Sequence, residues 1–376
     1  MSEPVPCKLF APIQVGKMSL KHRVVMAPLT RTRADSDHVH TKLAVEYYAQ
    51  RASVPGTLLV SEATFIAAQA GGWAFVPGIW SDAQVEAWKP IVEAVHAKGS
   101  YIFMQLWALG RTADPELLES EGPYPFVSAS DVKMSDGTLP PRPLTIPEIK
   151  EYVQLYATAA YNAVHRAGFD GVEVHGSNGF LVDQFTQDVS NKRTDDYGGS
   201  IENRSRFALE VVGAIAERIG ADRTGIRLSP WGRIYDMRME DPIPQFTHLV
   251  SELARQHPSM AYIHVVEPRV HRFDDIEVPP GESNDFMRDI WFPRPLISAG
   301  GYKRENALDV AEEKGDLIAF GRYFISNPDL PVRLLQNIPL AKGDRSTYYA
   351  RDEVGYTDYP TAEEEYGPPR QLQASL

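Results

Sequence analysis

The chain of 376 residues has a single cysteine, Cys7. That excludes an internal disulfide framework and any metal cluster built on cysteine, and it suits a reducing compartment. Positive charge is also short: 38 lysines and arginines stand against 50 aspartates and glutamates, a net charge of −12. A surface of that sign disfavours general binding to nucleic acid or anionic membrane. No apolar run approaches the about 20 residues needed to span a bilayer, and the opening MSEPVPCKLF lacks the basic-then-apolar layout of a signal peptide. A cytoplasmic protein is therefore expected, with neither nucleic acid nor membrane as partner. No GxGxxG follows a β-rich run, so no resident dinucleotide is expected. No HExxH and no cluster of histidines and carboxylates on strand ends marks a metal site.

What is present is a repeated alternation. Eight β-rich runs recur with helical stretches between them: Arg23 to Pro28, Thr57 to Glu62, Ser100 to Leu106, Asp170 to His175, Thr224 to Ser229, Ala261 to Val266, Pro295 to Gly300 and Asp316 to Gly321. That count and order predict an α/β fold, a single (β/α)8 TIM barrel covering residues 1–376. Helices are expected over Ser81 to Ala97 with Ser81 as N-cap, over Thr145 to Arg166 with a Thr145/Glu148 capping box, and over Ser200 to Ile219. Two segments break the alternation. The stretch before the first strand reads as a β-hairpin about Gly16, a plug over the barrel's bottom. Residues 108–144, after the third strand, form a long connection of the kind that serves as a lid. Residues 361–376 read as a flexible tail.

Strand parity then separates outward from inward residues. Val172, Val174, Ile226 and Leu228 share the outward parity, whereas Glu173, His175, Arg227, Phe103, Gln105 and Trp107 point inward. Inward charge is costly unless a ligand or partner satisfies it. Small residues at the strand tops (Ala27, Ala63, Ala299, Gly300, Gly301 and Gly321) leave room for a flat ligand at the C-terminal face. Glycines after the seventh and eighth strands, with Arg322 beside them, suit a phosphate group.

These residues fall within motifs that carry a resemblance. MAPLTR (Met26 to Arg31), QLWALGR (Gln105 to Arg111), VEVHGSNGFLVDQF (Val172 to Phe185), NKRTDDYGGSIENRSRF (Asn191 to Phe207), RLSPWG (Arg227 to Gly232), FGRYFISNPDLP (Phe320 to Pro331) and the GYTDYP tail appear in family order. Together they resemble the old yellow enzymes, and within them the fungal branch that includes the ergot-alkaloid aldehyde reductases. The resemblance implies noncovalent FMN, with NADPH or NADH as a transient hydride donor and an α,β-unsaturated carbonyl compound, an enone or enal, as substrate. It implies that Pro28, Leu29 and Thr30 line one flavin edge, with the Thr30 hydroxyl tuning the flavin. Gln105 would meet the pyrimidine edge and Arg227 would stabilise reduced flavin. Ala63 and Ala299 would complete the seat, and Gly300, Gly301, Gly321 and Arg322 would hold the phosphate. His175 and Asn178 would clamp the substrate carbonyl, so that His175, Asn178, Thr30 and Arg227 are the expected catalytic set. Trp107 and Tyr349 would line the substrate side, with Tyr349 a better candidate than Tyr348. Asp196, Arg204 and Arg206 are expected to brace a loop instead. The assembly state is left at monomer or homodimer.

One position departs from the family's pattern. The clamp usually continues as HxxNxY, the tyrosine giving a proton to the substrate's α-carbon; here Phe180 stands in its place. Reduction could use another proton donor, such as Tyr349 or water, or protonation could be slowed so that only activated substrates are reduced well. Alternatively the scaffold could isomerise or dehydrogenate its substrate, or Phe180 could simply be a substrate-binding residue that shapes the pocket for a bulkier apolar molecule. A flavin-binding sensor or storage protein is the reading from another class.

Overall fold

The computed structural model describes residues 7–271 and 274–367. Eight parallel strands close into a barrel in sequence order, Val24–Met26, Leu58–Phe65, Tyr101–Trp107, Gly171–Gly176, Thr224–Leu228, Tyr262–Val266, Leu296–Ala299 and Leu317–Phe320. All eight lie at the runs expected from the sequence. The second strand runs three residues past its expected end, because a register shift between Val60 and Ala63 lets it stay paired to the third as far as Phe65↔Trp107.

Parity sorts the core as the alternation requires. Val24, Met26, Ile102, Met104, Val172, Val174, Ile226 and Leu228 face the helices and pack with Trp88, Val92, Tyr156, Val211 and Leu249. The opposite parity fills the barrel interior with Val25, Leu58, Val60, Phe103, Tyr262, Ile297 and Leu317. Burying each such side chain contributes roughly 1.5–3 kcal/mol.

Two short antiparallel strands, Ile13–Val15 and Met18–Leu20, form a hairpin whose Val15, Met18 and Leu20 belong to that interior cluster. Its turn residue Gly16 has φ +52°, and a Cβ there would lie 2.0 Å from the Asp222 carbonyl oxygen. Only glycine fits so close to the chain entering the fifth strand.

The helices Asp82–Ala97, Ile146–Tyr161 and Ile201–Ile219 carry the anticipated caps at Ser81, Thr145 and Ser200. The second of them ends sooner than the pattern predicts. Asn162–Arg166 widen into a π turn, and the Asn162 side chain donates to the Ile79 carbonyl at 2.9 Å. Residues 361–367 also differ from expectation. Ala362–Tyr366 form a short helix with a Thr361/Glu364 capping box, and its Glu365 accepts from Arg333 at 3.0 Å. The remainder of the expected tail, 368–376, lies outside the described residues. Among the described residues no helix is long and apolar enough to cross a membrane.

Candidate active site

A cavity of about 690 Å3 opens at the C-terminal ends of the strands, and every residue nominated from the sequence lines it. Pro28, Leu29 and Thr30 follow the first strand, Ala63 lies in the second, and Gln105 and Trp107 come from the third. His175 comes from the fourth strand, with Asn178 and Phe180 on the loop beyond it. Arg227 rises from the fifth, Ala299 ends the seventh with Gly300 and Gly301 just beyond it, Gly321 and Arg322 follow the eighth, and Tyr349 arrives on the C-terminal segment.

Below the cavity floor lies a charged layer that register creates. Gln105 pairs with Glu173, and Arg227 is the partner of both His175 and His264. Glu173, wholly buried, accepts from Gln105 Nε2 at 2.8 Å and meets His264 Nδ1 at 2.9 Å. Burial alone would push the Glu173 carboxyl up; His264, Arg227 and Gln105 outweigh it and hold the group below its ordinary value. Arg227 Nε is buried without a hydrogen-bond partner, although the side chain as a whole reaches the cavity. A buried donor of this kind is expensive unless a ligand accepts from it. His175 is pushed well below its usual range by burial and then by Arg227 and His264, so its ring is neutral near pH 7. The Ser177 hydroxyl lies in hydrogen-bond contact with His175 Nδ1, 3.1 Å away, and so fixes the orientation of the ring.

The loop bearing Asn178 is built tightly. Asn178 has φ +58°, a region asparagine tolerates, and its backbone N–H donates to Ser229 Oγ at 2.8 Å. The next N–H, of Gly179, donates to Asp183 at 2.9 Å, and Gln184 Nε2 donates to the Gly179 carbonyl at 2.7 Å. Phe180 meets Trp107 and His175 edge to face, with ring centroids 4.7 Å apart in both cases.

At the far end the backbone opens for a ligand. Gly300 and Gly301 have φ +118° and +60°, and a Cβ on Gly321 would crowd Leu29 at 3.2 Å. Arg322 forms an ion pair with Asp275, and Arg345 with Asp274 at 3.1 Å, so the short acidic ribbon of the sixth βα loop shares this basic end. Lys303, Lys342 and Arg345 also line the cavity. None of the three was found from the sequence; they sit on connections and at the starts of helices, outside any periodic pattern, and a local excess of positive charge was their one signal. An orphaned cationic donor over the floor, a glycine cradle and a basic end together fit a flat, anionic cofactor such as FMN.

Other lining residues were also missed. Trp73 lies tilted against Trp107 and Tyr349, with ring centroids 5.7 and 6.3 Å away, and Tyr235 packs on Phe180 at 5.9 Å. Tyr348, ranked second to Tyr349 from the sequence, lines the cavity beside it. Their segment is held by two buried arginines just after Thr30: Arg31 donates to the Tyr348 and Gly355 carbonyls, and Arg33 to those of Thr347, Tyr348 and Val354. Asp196, Arg204 and Arg206 do not line the cavity. Arg206 donates to the Asp196 carbonyl at 2.7 Å and Arg204 to Gln245 at 2.9 Å, bracing the fourth βα loop.

The profile of the NADH:flavin oxidoreductase / NADH oxidase family matches residues 8–341. Among curated relatives, chanoclavine-I aldehyde reductase fgaOx3 of Penicillium roqueforti is 51% identical, over 94% of this chain and 96% of that protein. A protein of Claviceps fusiformis described as probable inactive dehydrogenase easA is 45% identical, over 95% of each. Among solved structures, old yellow enzyme from Pichia sp. AKU4542 superimposes with a TM-score of 0.87 at 42% identity, covering 98% of this chain and 96% of that one. Morphinone reductase in complex with tetrahydroNAD gives 0.86 at 42% identity, over 95% and 98%. With the barrel, the cavity and these matches in agreement, the chain belongs to the NADH:flavin oxidoreductase family, as an FMN-dependent flavoprotein of old yellow enzyme type.

Proposed function

We propose that the chain is an ene-reductase, moving hydride from NADPH or NADH to the C=C bond of an α,β-unsaturated aldehyde or ketone. The observation that carries this is the placement of a neutral His175 and of Asn178 on one wall of the cavity, beside Arg227 on its floor. FMN, when bound, supplies the hydride acceptor and donor. Pro28, Leu29, Thr30, Ala63, Gln105, Arg227 and Ala299 would hold its ring system, and Gly300, Gly301, Gly321 and Arg322 its phosphate.

The protein's own part is electrostatic. His175 Nε2–H and the Asn178 amide donate to the substrate carbonyl oxygen, which gains charge as hydride reaches the β-carbon. Arg227 would supply fixed positive charge beside the flavin, favouring its reduced form, and Gln105, held by Glu173, would hold the flavin's hydrogen-bonding edge. Trp107, Phe180 and Tyr349, with Trp73, shape an aromatic chamber that excludes water from an apolar substrate. The similarity to a chanoclavine-I aldehyde reductase makes a fungal enal a natural candidate substrate. The cytoplasm, where NADPH is replenished, is the setting that fits.

The test is to purify the yellow protein, reduce it anaerobically with NADPH or NADH, and add an enone. Reoxidation of the flavin with formation of the saturated product supports the reading; a colourless protein that takes up no FMN ends it. A second reading, alkene isomerisation, is favoured by Phe180, whose ring occupies the wall where a proton-donating phenol would stand. Isomerised product formed without stoichiometric NADPH would select it.

A further inference from the structure

Phe180 leaves the reaction without the phenol that would protonate the α-carbon, but the wall behind it is not apolar throughout. Tyr235, on the loop after the fifth strand, lines the same cavity, with its ring centroid 5.9 Å from that of Phe180. Phe180 in turn lies 4.7 Å from His175, which faces the proposed carbonyl position.

The loop spends conformational strain to hold Tyr235 there. Tyr235 and Asp236 have φ +56° and +57°, two successive non-glycine residues in the left-handed region. Neighbours fix both. The buried Arg111 guanidinium donates to the Tyr235 carbonyl at 2.8 Å and to Met237 Sδ at 3.4 Å. Ser135, on the long connection after the third strand, donates from Oγ to the Asp236 carboxylate at 2.8 Å. The clamp loop runs close beside it too: a Cβ on Gly179 would lie 3.1 Å from Tyr235 Cβ. Backbone strain held from three sides beneath a tyrosine that lines the cavity is the pattern of a positioned functional group. Tyr349 also lines the cavity, but it is 45% exposed and its nearest ring is Trp73, at 6.3 Å.

We infer that Tyr235 is the proton donor to the substrate α-carbon, an assignment that rests on the ene-reductase reading. Once the β-carbon has received hydride, the electron pair of the former double bond is shared between the α-carbon and the oxygen held by His175 and Asn178. The Tyr235 O–H bond breaks, a C–H bond forms at the α-carbon, and the phenolate regains a proton from water at the cavity mouth.

The experiment compares wild type with Tyr235→Phe, Tyr349→Phe and the double variant Phe180→Tyr/Tyr235→Phe, all as FMN-loaded protein. Each is reduced anaerobically with NADPH, then mixed with a nitroalkene. Hydride delivery yields a nitronate that absorbs in the near ultraviolet until its carbon is protonated. Tyr235→Phe should form nitronate within about twofold of the wild-type rate but lose it at least tenfold more slowly, with the facial preference of deuterium uptake at the α-carbon in D2O abolished. Phe180→Tyr in the double variant should restore both. Wild-type decay of the nitronate in Tyr235→Phe, or a slowing that follows Tyr349→Phe instead, overturns the assignment. A wild-type protein that is reduced by NADPH yet forms no nitronate overturns the ene-reductase reading itself, a distinct outcome.

Discussion

Arg227 and His175 are register partners on adjacent strands, so the cation on the cavity floor and the imidazole on its wall are set by one pair of neighbouring residues. In the proposed reading the arginine stabilises anionic reduced flavin. Arg227→Met should lower the flavin's two-electron midpoint potential by roughly 30–100 mV, taking about 30 mV as 1.4 kcal/mol of lost stabilisation. Spectroelectrochemical titration of the FMN-loaded protein measures it. An unchanged midpoint in a variant that still binds flavin would count against this role.

The same neighbourhood dictates a pH response. His175 is held well below its ordinary value by burial, by Arg227 and by His264, so its ring does not titrate where a free imidazole would. The rate at which an enone reoxidises the reduced enzyme should therefore show no inflection near 6.5, where an unperturbed histidine titrates. Stopped-flow measurements across that range decide the point. A sigmoid centred near 6.5 that vanishes in His175→Asn would contradict a neutral donor.

How much of this could be read from the sequence depended on periodicity. The eight strands and the inward Glu173, His175 and Arg227 follow from a period of two, which a barrel enforces because its outer face must be apolar. His264 carries the same signal in the run Ala261 to Val266, since Ile263 and Val265 take the outward parity; its pairing with Glu173 follows from strand register, which residues on a single strand do not display. Tyr235 lies on a loop whose conformation depends on Arg111 and Ser135, more than 90 residues earlier in the chain. No local pattern encodes such a placement. The π turn at Asn162 is likewise a tertiary effect, tied to the Ile79 carbonyl.

Asp183 should make stability depend on pH. Burial raises its pKa from 3.8 to about 7, although Gln187, the Gly179 N–H and Arg111 oppose the shift. Between those values the folded chain keeps a proton that the unfolded chain has lost, so stability falls as pH rises from 4 to 7 and is level beyond. Buried Glu62, raised to about 7, acts in the same direction. Asp183→Asn should flatten the decline in Tm between pH 5 and 7, while Asp183→Ala should also loosen the Asn178 loop and weaken substrate binding. Thermal unfolding over a pH series tests the first; an equally steep slope in the asparagine variant would refute it.

Arg33 offers a test of how the C-terminal segment is kept at the site. Its guanidinium donates to the carbonyls of Thr347, Tyr348, Asp352 and Val354 and stacks on Tyr356 at 4.5 Å. A single buried cation thus gathers most of the backbone that carries Tyr348 and Tyr349 to the cavity. Arg33→Ala should cost roughly 2–3 kcal/mol, the range for losing hydrogen bonds from a charged group. The loss should be local before it is global, because the barrel strands do not depend on these contacts. Trypsin should then cleave after the exposed Arg345 and Arg351 several-fold faster than in wild type, and KM for an enone should rise more than kcat falls. Cleavage at the wild-type rate with an unchanged KM would show that the segment is held by its apolar packing, with Arg33 contributing little.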